Sequence, residues 1–157
     1  MKLLSILKIT IWVVVFEGIG FILGLMTKQT MSPWYENLNK SALTPPAIVF
    51  PIAWSLLYAI LAVVGFLLWK ERYNEKLKPV LFLFIVQMIM NWFWTFIFFR
   101  WHYLGFSFLW IVILTCLVLA CIYLSVAKKK EVALLLIPYF VWLVFAAYLN
   151  GVIWYKN

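Results

Sequence analysis

The stretch WYENLNKSALTPPAIVFPIAW, residues 34–54, decides how this chain is organised. It carries two Trp, three Pro and a single acid, and it lies between two long apolar runs. A helix cannot run through Pro45 and Pro46, because proline lacks an N–H and restricts the residue before it. We therefore predict an ordered, aromatic-rich loop over 28–46. It leads directly into a membrane helix and forms a lid or a pocket wall.

The composition indicates a polytopic membrane protein. The chain is 68% hydrophobic and 11% charged, whereas soluble domains are about half apolar and about a quarter charged. Five apolar runs are long enough to cross about 30 Å of hydrocarbon as helices. They are about 4–27, 47–69, 79–100, 104–126 and 132–154. We predict an all-α fold in which residues 1–157 form one five-helix transmembrane bundle, with the long ordered loop between its first two helices.

The basic residues predict the orientation in the membrane. One end of the predicted bundle holds nine of them: Lys2, Lys8, Lys70, Arg72, Lys76, Lys78, Lys128, Lys129 and Lys130. The other end holds four: Lys28, Lys40, Arg100 and Lys156. The positive-inside rule then places the N-terminus in the cytoplasm and the long loop and the C-terminus outside. The basic residues cluster at the ends of the predicted helices, where membrane topology and anionic lipid headgroups explain the net charge of +8. Nucleic-acid binding explains it less well, because the chain has no long basic soluble segment.

The basic, apolar start of the chain also fits a cleaved signal peptide. However, the run is long, contains Glu17 and has no cleavage site of small residues. We therefore predict a retained helix.

Conventional catalytic and metal-binding motifs are absent from the sequence. It has no P-loop, GxGxxG, nucleophile elbow, HExxH or paired carboxylates. Cys116 and Cys121 lie five apart in one apolar run, which favours packing over a disulfide, and His102 has no ligand partners at metal spacing. We predict no metal and no cofactor, so any chemistry must come from a bound ligand.

Three predicted spans each place aromatic rings and small or hydrogen-bonding residues on one face. The faces are Trp54, Tyr58, Ala62, Gly65 and Trp69; Gln87, Asn91, Trp94 and Phe98; and Tyr139, Trp142, Ala146, Leu149, Asn150 and Ile153. Such faces either line a mostly apolar small-molecule pocket or pack helices together. Helical spacing alone does not separate the two readings. Trp94 and Trp142 favour a pocket, because they lie within their spans rather than at the ends.

Glu17 is the one acid well inside a predicted span. An intramembrane acid is a candidate for proton-coupled transport, or it hydrogen-bonds a neighbouring helix. Gly20 and Gly24 form a GxxxG pair that permits close helix contact. This pair, or Cys116 with Ala120, is a candidate dimer contact, and the sequence does not choose between them.

Several motifs together give the chain a family likeness. They are WYENLNK (34–40), TPP (44–46), FPIAW (50–54), LLY (56–58), NWFW (91–94), IFF (97–99) and PYFVWLVFAAYLNGVIW (138–154). In these motifs and their order, the chain resembles the translocator protein family, also called tryptophan-rich sensory proteins or peripheral-type benzodiazepine receptors, and is similar to its bacterial members. The resemblance implies a homodimer in the bacterial cell membrane. It also implies a pocket that binds porphyrins such as protoporphyrin IX, or benzodiazepine-type ligands.

The resemblance also implies which residues form the site. By resemblance, the pocket lining includes Trp54, Asn91, Trp142, Ala146, Leu149 and Asn150. Our own candidates for the same lining are Phe50, Tyr58, Trp94, Trp110 and Tyr139. Trp34, Tyr35, Pro45 and Pro46 would cap it. Some members are reported to degrade protoporphyrin under light, which would make Trp54 and Trp142 photochemical residues and the porphyrin a substrate.

The chain departs from the family pattern at several positions. Ser41 replaces a proline and Leu43 an aromatic residue, which predicts a more mobile loop. Trp110 stands where some members have an acid, and would add a ring to the pocket. Near the C-terminus the spacing of the family's cholesterol consensus fails, so we do not predict a sterol ligand.

Two other classes of function stay open. One is a transporter that uses Glu17, although no inverted repeat is obvious. The other is a membrane subunit that acts only through a partner protein.

Overall fold

The described chain is a bundle of long helices. The computed structural model describes residues 2–157, with side chains from residue 4 onward. Its helices are α1 (Lys2–Met31), α2 (Trp34–Asn37), α3 (Val49–Lys70), α4 (Lys78–Thr95), α5 (Leu104–Val126) and α6 (Lys130–Lys156). A π-helical segment, Phe96–Arg100, continues α4. Five helices are long and apolar enough to cross a membrane, and residues 2–157 contain no strand, which confirms the predicted all-α fold.

The predicted helix boundaries are close, except at the end of α1. This helix continues to Met31, so the prediction of a loop from residue 28 was wrong. In the extended part, the Thr30 hydroxyl bonds to the Met26 carbonyl one turn earlier, so this polar side chain is satisfied within the helix. Pro51 and Pro79 lie in the first turns of α3 and α4, where a missing N–H breaks no helical hydrogen bond.

The long helices close into a ring. Around the bundle the order is α1, α3, α6, α5 and α4, with α4 returning to α1. Two glycines bring α1 and α3 together as antiparallel neighbours. A Cβ at Gly20 would lie 2.5 Å from the ring of Tyr58, and one at Gly65 would lie 2.6 Å from Trp12. In this ring, α3 and α6 are neighbours although they are far apart in the sequence, and their aromatic faces meet.

Polar contacts tie the connections together at the two ends of the bundle. Lys129 forms an ion pair with Glu71 at 3.0 Å, which joins the α5–α6 and α3–α4 connections. This hydrogen bond and the lysine charge lower the pKa of the Glu71 carboxyl. At the other end, the backbone N–H of Asn39 donates to Asn157 Oδ1 at 2.9 Å.

Candidate functional site

Three buried side chains form a hydrogen-bonded centre between α3, α4 and α6. The Tyr58 hydroxyl donates to Asn91 Oδ1 at 3.0 Å, and Asn91 Nδ2 donates to the Tyr139 hydroxyl oxygen at 2.9 Å. The exposed fractions are 6%, 5% and 0% for Tyr58, Asn91 and Tyr139. Since no water competes inside hydrocarbon, these bonds fix the relative positions of the three helices.

Two residues of this centre also belong to a group of five rings that we call the aromatic box: Phe50, Trp54, Tyr58, Tyr139 and Trp142. Trp54 stacks on Tyr58 with centroids 5.4 Å apart and meets Trp142 edge-on at 6.3 Å. Phe50 packs edge-on against Trp142 at 6.1 Å. The rings share faces because they recur at helical spacing along α3 and α6. A planar ligand must part Trp54 and Trp142 to enter between them.

A second aromatic cluster joins α4 to the long loop. Trp94 stacks on Phe98 at 5.0 Å, and Trp34 packs edge-on against Phe98 at 5.5 Å. Trp34 also stacks on His102 at 3.8 Å, and Tyr35 packs on Phe99 at 5.6 Å. The predicted cap residues Trp34 and Tyr35 thus contact the end of the third span. Burial raises the pKa of the Tyr35 hydroxyl.

The π-helical segment makes this second cluster possible. The backbone N–H of Trp101 donates to the carbonyl of Phe96, five residues earlier, at 2.9 Å. The wider turn rotates the following residues relative to an α-helix. Phe98 and Phe99 can therefore both pack against the loop. Helical spacing predicted Phe98 on the α4 face, but the loop contacts of Phe99 and His102 were not predicted, because one extra residue in a turn leaves no signal in the hydrophobic pattern.

The long loop is fastened by polar side chains. The Lys40 ammonium donates to the carbonyls of Tyr35, Glu36 and Leu38 at 2.8–3.0 Å. It thereby satisfies carbonyls at the C-terminal end of the short helix α2. The Ser41 hydroxyl lies 2.9 Å from that of Tyr148 on α6, so this departure from the family pattern tethers the loop. Further along the loop, Pro45 is half-buried and Pro46 is exposed.

Some predicted lining residues have hydrogen-bond partners away from Asn91. Asn150 Nδ2 donates to Ser107 Oγ at 3.2 Å, in a buried contact between α5 and α6. The Trp110 indole N–H donates to the Met90 carbonyl at 2.9 Å. Sequence analysis did not single out Ser107, although a polar side chain in an apolar span is a signal for such a pair.

The other predicted lining residues lie on the inner face of α6. Leu149 is buried, and Ala146 packs against the core. The structure therefore brings together Phe50, Trp54, Tyr58, Asn91, Tyr139 and Trp142, and it puts Trp94 with the loop cluster.

Two polar groups on the same face of α4 have no protein partner in the described part of the chain. Both amide atoms of Gln87 and the Trp94 indole nitrogen are buried without a hydrogen bond. Gln87 lies four residues before Asn91, and Trp94 three residues after it. A buried amide without a partner costs about 1–3 kcal/mol.

The remaining candidates lie elsewhere. Glu17 is half-buried in α1, three residues before the glycine that contacts Tyr58. The thiol of Cys116 is exposed and that of Cys121 is buried, and both are free. No group of three metal-ligating His, Cys, Asp or Glu side chains occurs among the residues that the structure describes.

Comparisons with known proteins agree with the likeness seen in the motifs. The sequence model described as the TspO/MBR family matches residues 12–155. "Tryptophan-rich protein TspO" of Archaeoglobus fulgidus is 29% identical over 156 residues, 98% of this chain and 99% of the relative. "Translocator protein" of Homo sapiens is 31% identical over 126 residues, 79% of this chain and 75% of the relative. "Protein CrtK" of Rhodobacter capsulatus is 32% identical over 125 residues, 79% of this chain and 78% of the relative.

Proposed function

This chain belongs to the TspO/MBR family of integral membrane proteins, and we propose that it is a receptor or sensor for porphyrins such as protoporphyrin IX. The proposed site is the aromatic box together with Asn91. The observation that carries the proposal is the contact between Trp54 and Trp142 beside the bonded Tyr58–Asn91–Tyr139 centre. Benzodiazepine-type ligands are aromatic and largely apolar, and we propose that they bind at the same place.

The chemistry of the site suits a flat, mostly apolar ligand with a few polar atoms. The box offers ring faces for stacking, and such aromatic contacts are worth about 0.5–1.5 kcal/mol each beyond the buried area. Gln87 and the Trp94 indole add hydrogen-bonding groups without protein partners, as far as the described residues show. Pockets for small molecules combine apolar walls with a few placed polar groups in this way.

We further propose that the bound porphyrin is a substrate for light-driven oxidation. A porphyrin absorbs light and transfers the energy to oxygen, and the ligand itself brings this chemistry. Trp54 and Trp142 would lie against the macrocycle, where their indoles could quench or relay the reactive species. The protein would contribute orientation and the exclusion of other reactants.

A protoporphyrin titration of the detergent-purified protein tests this proposal. We compare the wild type with Trp54→Phe, Trp142→Phe and the control Trp154→Phe. The last removes an indole that stacks on Phe108, away from the box. Loss of one indole contact predicts roughly 2–13-fold weaker binding in the first two variants, from about 0.5–1.5 kcal/mol per contact, and no change in the control. The absence of saturable binding to the wild type would refute the proposal.

Illumination of the same samples tests the photochemistry. We expect the porphyrin absorption band to decay under light and oxygen, and to decay more slowly in Trp54→Phe and Trp142→Phe at saturating porphyrin. If the rate at saturation is the same in all four proteins, the indoles take no part, and the protein acts as a receptor alone.

Transport through Glu17 is the alternative to the receptor proposal. It predicts pH-dependent substrate flux into liposomes, which Glu17→Gln abolishes while porphyrin binding remains. Flux that survives this substitution would remove Glu17 from the mechanism.

A further inference from the structure

A cavity of about 400 Å³ lies between α1 and α3, near the start of α1 and the end of α3. Its lining includes Lys8, Lys70 and Arg72, together with Ile11, Trp12 and Trp69. Lys70 lies 12 residues after Tyr58 on α3, about 18 Å along the helix axis at 1.5 Å per residue. The cavity is therefore separate from the aromatic box.

The polar part of the cavity is cationic. Both ion pairs found among the described residues, Lys78 with Glu75 and Lys129 with Glu71, lie outside it. Arg72 is held in place by a bond from Nη1 to the Trp69 carbonyl at 3.1 Å, and its guanidinium lies 5.3 Å from the centre of the Trp69 ring. None of the three cationic side chains of the cavity is in a described salt bridge. Glu71, whose pKa Lys70 helps to lower, is paired with Lys129.

The deeper part of the cavity is apolar. Ile11 and Trp12 come three and four residues after Lys8 on α1, so they lie about one turn further from this end of the bundle. Trp12 reaches α3 because residue 65 is glycine, where a Cβ would lie 2.6 Å from the indole. Ile11 is 54% exposed and Trp69 is 47% exposed, so the wall is continuous with the outer surface that faces the membrane.

We propose that this cavity binds an anionic membrane phospholipid, with its phosphate among Lys8, Lys70 and Arg72 and the start of an acyl chain against Ile11 and Trp12. A cationic rim above an apolar wall matches an anionic amphiphile, and basic pockets between membrane helices bind such headgroups. A free anion would use the rim alone. The lipid uses both parts of the cavity, which is why we assign a lipid rather than soluble phosphate.

Native mass spectrometry of the full-length protein in detergent tests the proposal. The probes are dioleoyl phosphatidylglycerol, dioleoyl phosphatidylcholine and free glycerol phosphate. The test variant is Lys8→Gln/Lys70→Gln/Arg72→Gln. The control variant is Lys76→Gln/Lys128→Gln/Lys130→Gln, which removes the same charge from the same end of the bundle but not from the cavity. Thermal unfolding of both variants checks that they are folded.

We expect wild type and control to bind phosphatidylglycerol at least about tenfold more tightly than phosphatidylcholine. The test variant should bind phosphatidylglycerol up to roughly 100-fold more weakly, since each of the three cations contributes roughly fivefold, and it should therefore lose that preference. Glycerol phosphate at matched concentration should not displace the lipid. Three results would each overturn the proposal: an unchanged preference in the test variant, an equal loss in the control, or displacement of the lipid by glycerol phosphate. The last would leave a site for a soluble anion.

Discussion

The two glycines of the GxxxG pair in α1 have different surroundings, and alanine should destabilise the protein at Gly20 but not at Gly24. A Cβ at Gly20 would lie 2.5 and 2.6 Å from two ring carbons of Tyr58, whereas carbon atoms in contact are about 3.5–4.0 Å apart. A Cβ at Gly24 meets nothing within 4 Å. The Tyr58 ring cannot simply move aside, because it stacks on Trp54 and its hydroxyl bonds to Asn91.

The expected change in the free energy of unfolding combines two costs and one gain. Overpacking of a buried site costs about 1–3 kcal/mol, and weakening the Tyr58–Asn91 hydrogen bond costs about 0.5–1.5 kcal/mol. Alanine gains up to about 1 kcal/mol over glycine inside a helix. Gly20→Ala should therefore lower the free energy of unfolding by about 1–3 kcal/mol, from the balance of these contributions. Gly24→Ala should leave it unchanged or raise it by up to about 1 kcal/mol.

Thermal unfolding in detergent and a protoporphyrin titration of the same samples measure both effects. Since Gly20→Ala displaces a ring of the aromatic box, we expect weaker porphyrin binding by roughly tenfold, which corresponds to about 1.4 kcal/mol. Gly24→Ala should bind as the wild type does. The reasoning is refuted if the two variants have the same stability, or if Gly20→Ala is destabilised while its affinity is intact.

Three further predictions follow from the polar contacts. Tyr139→Phe removes the acceptor for Asn91 and should destabilise the protein by about 1–3 kcal/mol. Asn91→Ala should lower both the stability and the porphyrin affinity. Thermal unfolding measures the stability, and a porphyrin titration measures the affinity. Asn150→Ala should lower the free energy of unfolding by a similar amount, because Ser107 loses its inter-helix partner. The porphyrin affinity should stay unchanged, and a loss of affinity would show that Asn150 belongs to the ligand site. The pKa of Glu71 in the folded protein is lowered from its ordinary value of 4.5. The Glu71–Lys129 ion pair should therefore stabilise the fold fully above pH 4.5, and this stabilisation should be lost as the pH falls through the lowered pKa. Glu71→Gln should make the unfolding temperature less dependent on pH over that acidic range, and an identical dependence in the variant would show that the ion pair contributes nothing.

The five spans could be predicted from the sequence because hydrocarbon limits both the length and the composition of a helix that crosses it. The error at the end of α1 has a local cause. Lys28, Gln29 and Thr30 look like loop residues, but the Thr30 hydroxyl bonds to the Met26 carbonyl of its own helix. Hydropathy does not register that contact.

The aromatic faces could be predicted, but their pairing could not. Helical spacing put Tyr58, Asn91 and Tyr139 on the inner faces of three helices. Which faces meet depends on the order of helices around the ring, and that order is set by packing between residues far apart in the chain. For the same reason Asn150, on the same face of α6 as Tyr139, meets Ser107 of α5 instead of Asn91.

The face of α4 links the stability of the bundle to its proposed ligand. Along this one face Asn91 has both of its amide groups bonded to tyrosines, while Gln87 before it and Trp94 after it are buried without partners within the described structure. Leucine in place of Gln87 would avoid the cost of an unpaired buried amide. The presence of Gln87 at a position where it lowers stability is explained if its amide forms hydrogen bonds with a ligand. Gln87 and Trp94 share their helix face with Asn91 of the proposed site, so we propose that polar atoms of the ligand bind along this face.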